Sequence, residues 1–301
     1  MRLVLLGLFA TACRTTTHDV TPDAYTGPDA KVATFNVRRM FDTICDTKMC
    51  EPGSYEELPS PGDFDARATQ IADAIRTLDA DIIALQEIET QACLDALLAR
   101  LGDTMPYGVL GETETAASVD VAVLSKTPLD LVVTHRADSP LRLPSGATTT
   151  FSRELLEVHV RIDAVPVVLF AAHFKSKSGD DPPRRLAEAQ VSTSIVNEVA
   201  MREPDTLVIL GGDLNDTPDS PPLDAMTKDG GLIRVADDLF VDEQATYVFG
   251  GRKQAIDHLL VAPNAAAWRR IPRSAQTWRG PQGGFGGSDH FALSSKFAVE
   301  P

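Results

Sequence analysis

The chain has 301 residues, with 28 Lys and Arg against 43 Asp and Glu, giving a formal net charge of −15. Hydrophobic residues make up 43% and charged ones 24%, an ordinary globular mixture that excludes a disordered tail, a collagen-like chain and a polytopic membrane protein. The negative excess argues against sequence-independent adsorption to nucleic acid or anionic lipid, which rests on Lys and Arg displacing counterions. A polyanionic substrate would need its charge locally reversed, most simply by metal ions.

Residues 1–13 read Met-Arg, an apolar run from Leu3 to Ala10, then Thr11-Ala12-Cys13, the layout of an export signal. The run is too short to span a bilayer. Small residues directly before Cys13 also resemble a bacterial lipobox, although Ala10 stands where leucine is more usual. On this reading residues 1–12 are removed, and lipid on Cys13 holds the protein on a membrane of the cell envelope. A cleaved soluble signal and a buried N-terminal strand are the alternatives. Residues 13–30, rich in Thr, Asp and Pro, read as a flexible tether. Export places Cys45, Cys50 and Cys93 in an oxidising compartment. Cys45 and Cys50 bracket a short polar loop and are the favoured disulfide pair, with Cys93 a buried small hydrophobe. No second close cysteine or histidine pair accompanies them, which argues against zinc.

From residue 31 to 299 short strand signals alternate with helical ones without a long linker, so this stretch reads as one domain. Lys31–Val37 is strand-like. Asp63 is the expected cap of a helix whose Ile71, Ile75 and Leu78 share a face. It leads into the apolar strand Asp81–Leu85 and a second helix through Leu94, Leu97 and Leu98 that stops at Gly102. Strands follow at Val119–Leu124 and Leu131–Val133. Alternation from Leu156 to Ile162 and the run Val167–Ala172 predict an antiparallel hairpin. A long helix over about 184–201, a strand at Thr206–Leu210, a Pro-rich turn at 218–222 and strands near 255–262 and 290–299 complete the chain. Mixed antiparallel pairs with helices on the outer faces predict an α/β fold of two packed sheets.

Apolar strands here end in residues able to bind metal or move protons. Asn36 ends the first, Gln86-Glu87 the second, His173 the hairpin, and Gly211-Gly-Asp-Leu-Asn215 the strand after the long helix. Ile256-Asp-His258 and Ser288-Asp-His290 follow near the carboxyl end. Strand ends are where a rigid backbone aims several short side chains at one point. Each residue alone has an ordinary explanation: Asn as a turn former, Glu as a solvated charge, His173 as a satisfied core histidine. Chance agreement of all six positions is far less plausible.

These segments, with Thr34-Phe-Asn-Val37 and Val121-Ala-Val-Leu-Ser125, resemble the endonuclease/exonuclease/phosphatase superfamily, which includes pancreatic-type deoxyribonuclease, abasic-site endonucleases, bacterial sphingomyelinases and inositol polyphosphate phosphatases. The resemblance covers about residues 31–299. It implies a four-layer sandwich of two mostly antiparallel sheets flanked by helices, and metal-dependent phosphoester hydrolysis. Carried over, Glu87 is the main Mg²⁺ (or Mn²⁺) ligand, assisted by Asn36 and Asp289. His290 is the base toward water, held by Asp257. Asp213 and Asn215 orient that water or a second metal, and His173 donates to a nonbridging oxygen. Arg153 stands where related enzymes offer a cation to phosphate; a surface arginine is the alternative. Lys175 and Lys177 add positive charge beside His173 in a stretch similar to secreted bacterial nucleases.

The leading expectation is an exported nuclease cutting DNA, with RNA as a second nucleic acid. A sphingomyelinase-like or other phosphoesterase on phospholipid or inositol phosphate is the runner-up. It would call for an exposed aromatic hairpin, and at 6% aromatic content only Phe285 in a Gly-rich loop stands out. A noncatalytic surface lipoprotein scaffold is the third reading. No obligate partner is evident, so a monomer is expected.

Overall fold

A computed structural model describes residues 25–281 and 283–300. The expected signal segment 1–12, the lipidation site Cys13 and most of the 13–30 tether lie outside the described residues. Among the described residues no helix is long and apolar enough to cross a membrane.

Along the chain run β1 (Asp29–Met40), α1 (Pro61–Leu78), β2 (Ile82–Ile88), α2 (Gln91–Leu101), β3 (Tyr107–Gly111), β4 (Asp120–Ser125) and β5 (Leu129–Thr134). A small hairpin of β6 (Leu141–Arg142) and β7 (Thr148–Thr149) precedes β8 (Leu156–Ile162), β9 (Val165–His173), α3 (Pro182–Arg202), β10 (Leu207–Asp213) and α4 (Pro221–Thr227). The last part holds β11 (Ile233–Arg234), β12 (Tyr247–Phe249), β13 (Arg252–Gln254), β14 (Asp257–Val261), β15 (Gln276–Trp278) and β16 (Ala292–Ala298).

Two helix starts differ from expectation. The cap of α1 is Ser60, whose side chain accepts from the Asp63 backbone N–H, so Asp63 sits inside the first turn. Pro61 follows the cap because proline's missing N–H has no helical partner at that position anyway. The same chemistry turns the Pro-rich stretch at 218–222 into the start of α4, capped by Ser220.

Strands order as β15-β16-β1-β2-β4-β3 in one sheet and β11-β14-β10-β9-β8-β5 in the other. Both are antiparallel except for one central parallel pair each, β1 with β2 and β9 with β10. Parallel neighbours need a crossover, supplied by α1 and α3. Inward-facing Val32, Ile82 and Val123 meet Val158, Leu169 and Ile209 between the sheets. The outer faces pack Phe35 and Leu85 against Ile71 and Leu97, and Phe170 and Leu210 against Val196 and Met226. The result is the four-layer sandwich expected from the motifs. Cys45 and Cys50 form a disulfide, and Cys93 is buried and free.

The two parallel pairs end side by side: Asn36 lies opposite Gln86 in one sheet, and Asp213 lies opposite both His173 and Asp257 in the other. Gly212 makes the second junction possible, since a Cβ there would meet the Ala172 carbonyl oxygen at 1.9 Å. At Gly211 an added Cβ meets instead a Leu259 methyl at 2.9 Å, which can move. Gly212→Ala should therefore lower the melting temperature by several degrees, consistent with an overpacking penalty of about 1–3 kcal/mol, and Gly211→Ala by clearly less. Equal thermal shifts for the two variants would contradict this view of the junction.

Candidate active site

Strand alternation alone would put Glu87 on the face of Ile83 and Leu85, toward the helices. Instead the register of β2 shifts between Gln86 and Ile88, and that of β1 between Asn36 and Met40. Glu87, Arg38 and Arg39 take positive φ of 70°, 58° and 44°. Such non-glycine conformations cost on the order of 1–3 kcal/mol each and persist where surrounding contacts fix them. Here the contacts are polar: the Glu87 carboxylate accepts from the Arg39 backbone N–H at 2.8 Å and from Asn36 Nδ2 at 3.1 Å.

Asn36, itself fully buried, also donates through Nδ2 to Asp213 Oδ2 at 3.0 Å, joining the two sheets. The amide is oriented by its neighbours, because ionised carboxylates can only accept. Its Oδ1 is taken by the Arg38 N–H at 2.9 Å. Asn36 thus stands as the positioning partner of Glu87.

Asp213 is the junction of the second half. His173 Nε2 lies 3.7 Å and His290 Nε2 3.9 Å from its Oδ2. His290 Nδ1 bonds Asp257 at 2.9 Å, fixing the ring and leaving Nε2 toward the cleft. Asp257 is held in turn by its backbone N–H, which donates to the buried Thr246 hydroxyl, and the Ser288 hydroxyl ties His290 to the Asn36 carbonyl.

The electrostatics follow from burial. Asp213 is raised to about 7 by burial, then by the Asp257 charge. Burial opposes the charged form of His290, yet Asp257, its hydrogen bond, Asp213 and Asp289 outweigh it and lift the imidazole to about 10. His173 is driven well below its usual range by burial, with Arg153 and His290 adding repulsion. One histidine is therefore held cationic and the other neutral within the same cleft.

The remaining expected residues are placed less uniformly. Asp289 pairs with Arg38 at 3.7 Å on the exposed rim and bonds neither Glu87 nor Asn36. Asn215, at φ 53°, donates through Nδ2 to the Phe174 carbonyl. Arg153 reaches the same carbonyl at 3.3 Å. Lys175 turns to the Ser178 carbonyl in its own loop, and Lys177 to Asp216, so neither ammonium points at Asp213. Phe285 is buried edge-on against Phe35 and is not an exposed anchor.

Sequence reading missed Tyr247, whose ring lies 4.7 Å from that of His290. Its signal was available: Gly250-Gly251, both at positive φ, separate Tyr247-Val-Phe249 from Arg252-Lys-Gln254, the composition of a tight hairpin turn.

Glu87, Asp213, Asp257 and Asp289 supply hard oxygen, and ligand atoms of Asp213, Asp257 and His290 lie within 4.8 Å of one another. Carboxylate oxygens gathered at one cleft fit a divalent oxygen-seeking cation. A family model described as the Endonuclease/Exonuclease/phosphatase family matches residues 33–290. The chain belongs to that family. A search of curated proteins finds no match. Solved structures similar to this family member include truncated TDP2 from Caenorhabditis elegans, at 17% identity, 90% of this chain, 98% of that chain and TM-score 0.62. D. rerio TDP2 complexed with a single-strand DNA product matches at 16% identity, 90% and 99% coverage and TM-score 0.63. A Staphylococcus aureus beta toxin mutant with bound magnesium ions matches at 18%, 90% and 100%, with TM-score 0.60.

A stability test follows from the His290–Asp257 pair. Its folded pKa lies above the unfolded 6.5, so its contribution is full below 6.5 and is lost as pH rises through about 10. In chelator, the stability gap between wild type and Asp257→Asn should be largest near pH 6 and close by pH 10. A gap that widens with pH in thermal melts would contradict the assignment.

Proposed function

We infer that this protein is a divalent-metal-dependent phosphodiesterase, acting most readily as a nuclease on DNA, with RNA as a second substrate. The observation that carries the reading is the Asn36 amide holding Glu87 and Asp213 together beside the His290–Asp257 pair. A bound Mg²⁺ or Mn²⁺ would polarise the phosphoryl oxygen and offset the negative field that keeps His290 protonated. Glu87 would be the principal ligand, with Asp289 completing the shell from the rim. His290, once neutral, takes the proton of the attacking water at Nε2 while Asp257 holds its tautomer. Neutral His173 donates to a nonbridging oxygen, Asp213 and Asn215 orient the water, and Arg153 offers its guanidinium to the phosphate.

Nucleic acid is favoured over other phosphodiesters by the cations at the cleft, Arg38, Arg39 and Arg153, in an otherwise acidic molecule. A phospholipid headgroup is the second reading. It is favoured by one observation: the β12–β13 hairpin touches His290 through Tyr247, carries Phe249 66% exposed, and pairs through Lys253 with Asp242, which follows the exposed Phe240 and Val241 in sequence. Export, with lipid on Cys13 as the anchor, belongs to the same proposal. The Cys45–Cys50 disulfide supports it, since such bonds persist in oxidising compartments.

The test is a panel of duplex DNA, single-stranded DNA, RNA, sphingomyelin and inositol phosphates, with Mg²⁺ and with excess EDTA. Nucleic acid cleavage that disappears in EDTA is expected; cleavage unchanged by EDTA, or turnover of sphingomyelin alone, would overturn the reading. In the same assay His290→Ala should lose about a hundredfold to ten-thousandfold. Asp257→Asn should lose much of the same factor and the double variant little more, because the pair acts as a unit. A folded His290→Ala protein with activity within a few fold of wild type would remove the base assignment. Cys13→Ser should release the protein from membranes or block its processing; membrane retention unaffected by that change would refute the anchor.

A further inference from the structure

Between β1 and α1 the chain runs from Phe41 to Ser60 with no helix or strand. Loops of this length without secondary structure are uncommon in compact domains and usually functional. This one is fixed from within. Cys45 and Cys50 close it, and Glu56, only 2% exposed, accepts from the backbone N–H groups of Asp46 at 2.6 Å and Thr47 at 2.8 Å, and from the Thr47 hydroxyl. Next to that clamp stands Tyr55, half exposed, its ring edge-on to Phe41 at 5.9 Å. The Arg39 guanidinium lies 4.7 Å over the ring. Arg39 is also the residue whose backbone N–H holds Glu87, so the tyrosine is one residue removed from the main carboxylate of the site. Arg153 lies close enough for its charge to act on both the Tyr55 hydroxyl and His173. Arg39 and Phe41, the two side chains packed on the ring, also line a cavity of about 340 Å³ together with Glu57, Asp63, Phe64 and Arg67.

We propose that Tyr55 and Arg39, presented by the disulfide-closed loop, form a subsite that stacks the nucleobase adjacent to the scissile phosphate, with Arg153 holding the phosphate between them. This rests on the nuclease reading and names how the substrate is bound. A planar aromatic ring and a guanidinium both offer a face to a base. The two guanidiniums attract phosphate and repel a quaternary ammonium, so the same ring does not suit a choline headgroup, which would need an anionic or uncharged cage. Closure of the loop by the disulfide and Glu56 keeps the ring in place before substrate arrives, which lowers the ordering cost of binding.

The experiment compares cleavage of an oligonucleotide carrying all its bases with one carrying an abasic residue beside the cut position, for wild type, Tyr55→Phe, Tyr55→Leu and Tyr55→Ala, each checked for folding by thermal melt. Binding of an oligonucleotide carrying 2-aminopurine is followed by its fluorescence in parallel. Wild type should prefer the intact substrate by roughly 5- to 100-fold in KM, the range that base stacking supplies, and should quench 2-aminopurine. Tyr55→Phe should keep both properties, and Tyr55→Leu and Tyr55→Ala should lose both. Wild type that cleaves nucleic acid while Tyr55→Ala and Tyr55→Leu retain its preference and quenching overturns the subsite alone. Wild type that cleaves no nucleic acid overturns the nuclease reading, and the subsite with it.

Discussion

A single carboxamide connects the two halves of this molecule's chemistry. Asn36 sits at the end of β1, and its Nδ2 is shared between Glu87 in its own sheet and Asp213 in the other. The two acceptors come from strands 126 residues apart in sequence, so the geometry exists only when both sheets are formed and packed face to face. Asn36 is buried with both amide hydrogens used, and removing it would leave Glu87 Oε1 and Asp213 Oδ2 without the donor they share. The tight apolar layer between the sheets, with Val32, Ala84 and Ile209 fully buried, keeps that spacing rigid.

Each sheet contributes through its one parallel pair. Parallel neighbours end at the same edge, so β1 with β2 and β9 with β10 deliver Asn36, Glu87, His173 and Asp213 to one rim, while the antiparallel β14 begins there and brings Asp257. The site is thus built around strand ends, with Asp289 and His290 brought in by the loop before β16. Its strain is local: the paired bulges in β1 and β2 turn Glu87 away from the helices and toward the cleft. Burial and then the Asp257 charge raise the Asp213 pKa, while the same carboxylates hold His290 cationic against its burial.

Much of this was legible in the sequence. Alternation marked the β8–β9 hairpin, apolar runs marked β2 and β10, and polar residues at their ends marked the site. What could not be read were features set by tertiary contact. Nothing local says that Glu87 adopts positive φ, since alternation places it on the wrong face. Nothing local says that Lys175 and Lys177 spend their charges on Ser178 and Asp216, or that Phe285 is buried by Phe35. The caps of α1 and α4 went unread for another reason: Ser60 and Ser220 each precede proline, and that pair also spells a turn. The exposed hairpin tip at Phe249 and the Tyr55 loop carry weak periodic signals because each is shaped by a turn or a disulfide rather than by a buried face.

The most direct measurement is diffraction from crystals of the wild-type protein soaked in Mn²⁺, using the anomalous signal to locate the ion. The account predicts a peak in the cleft between the two sheets, bonded to the Glu87 carboxylate and facing the His290–Asp257 pair. Mn²⁺ found only at sites whose ligands exclude Glu87, in crystals where the Asn36 bridge is intact, would contradict it.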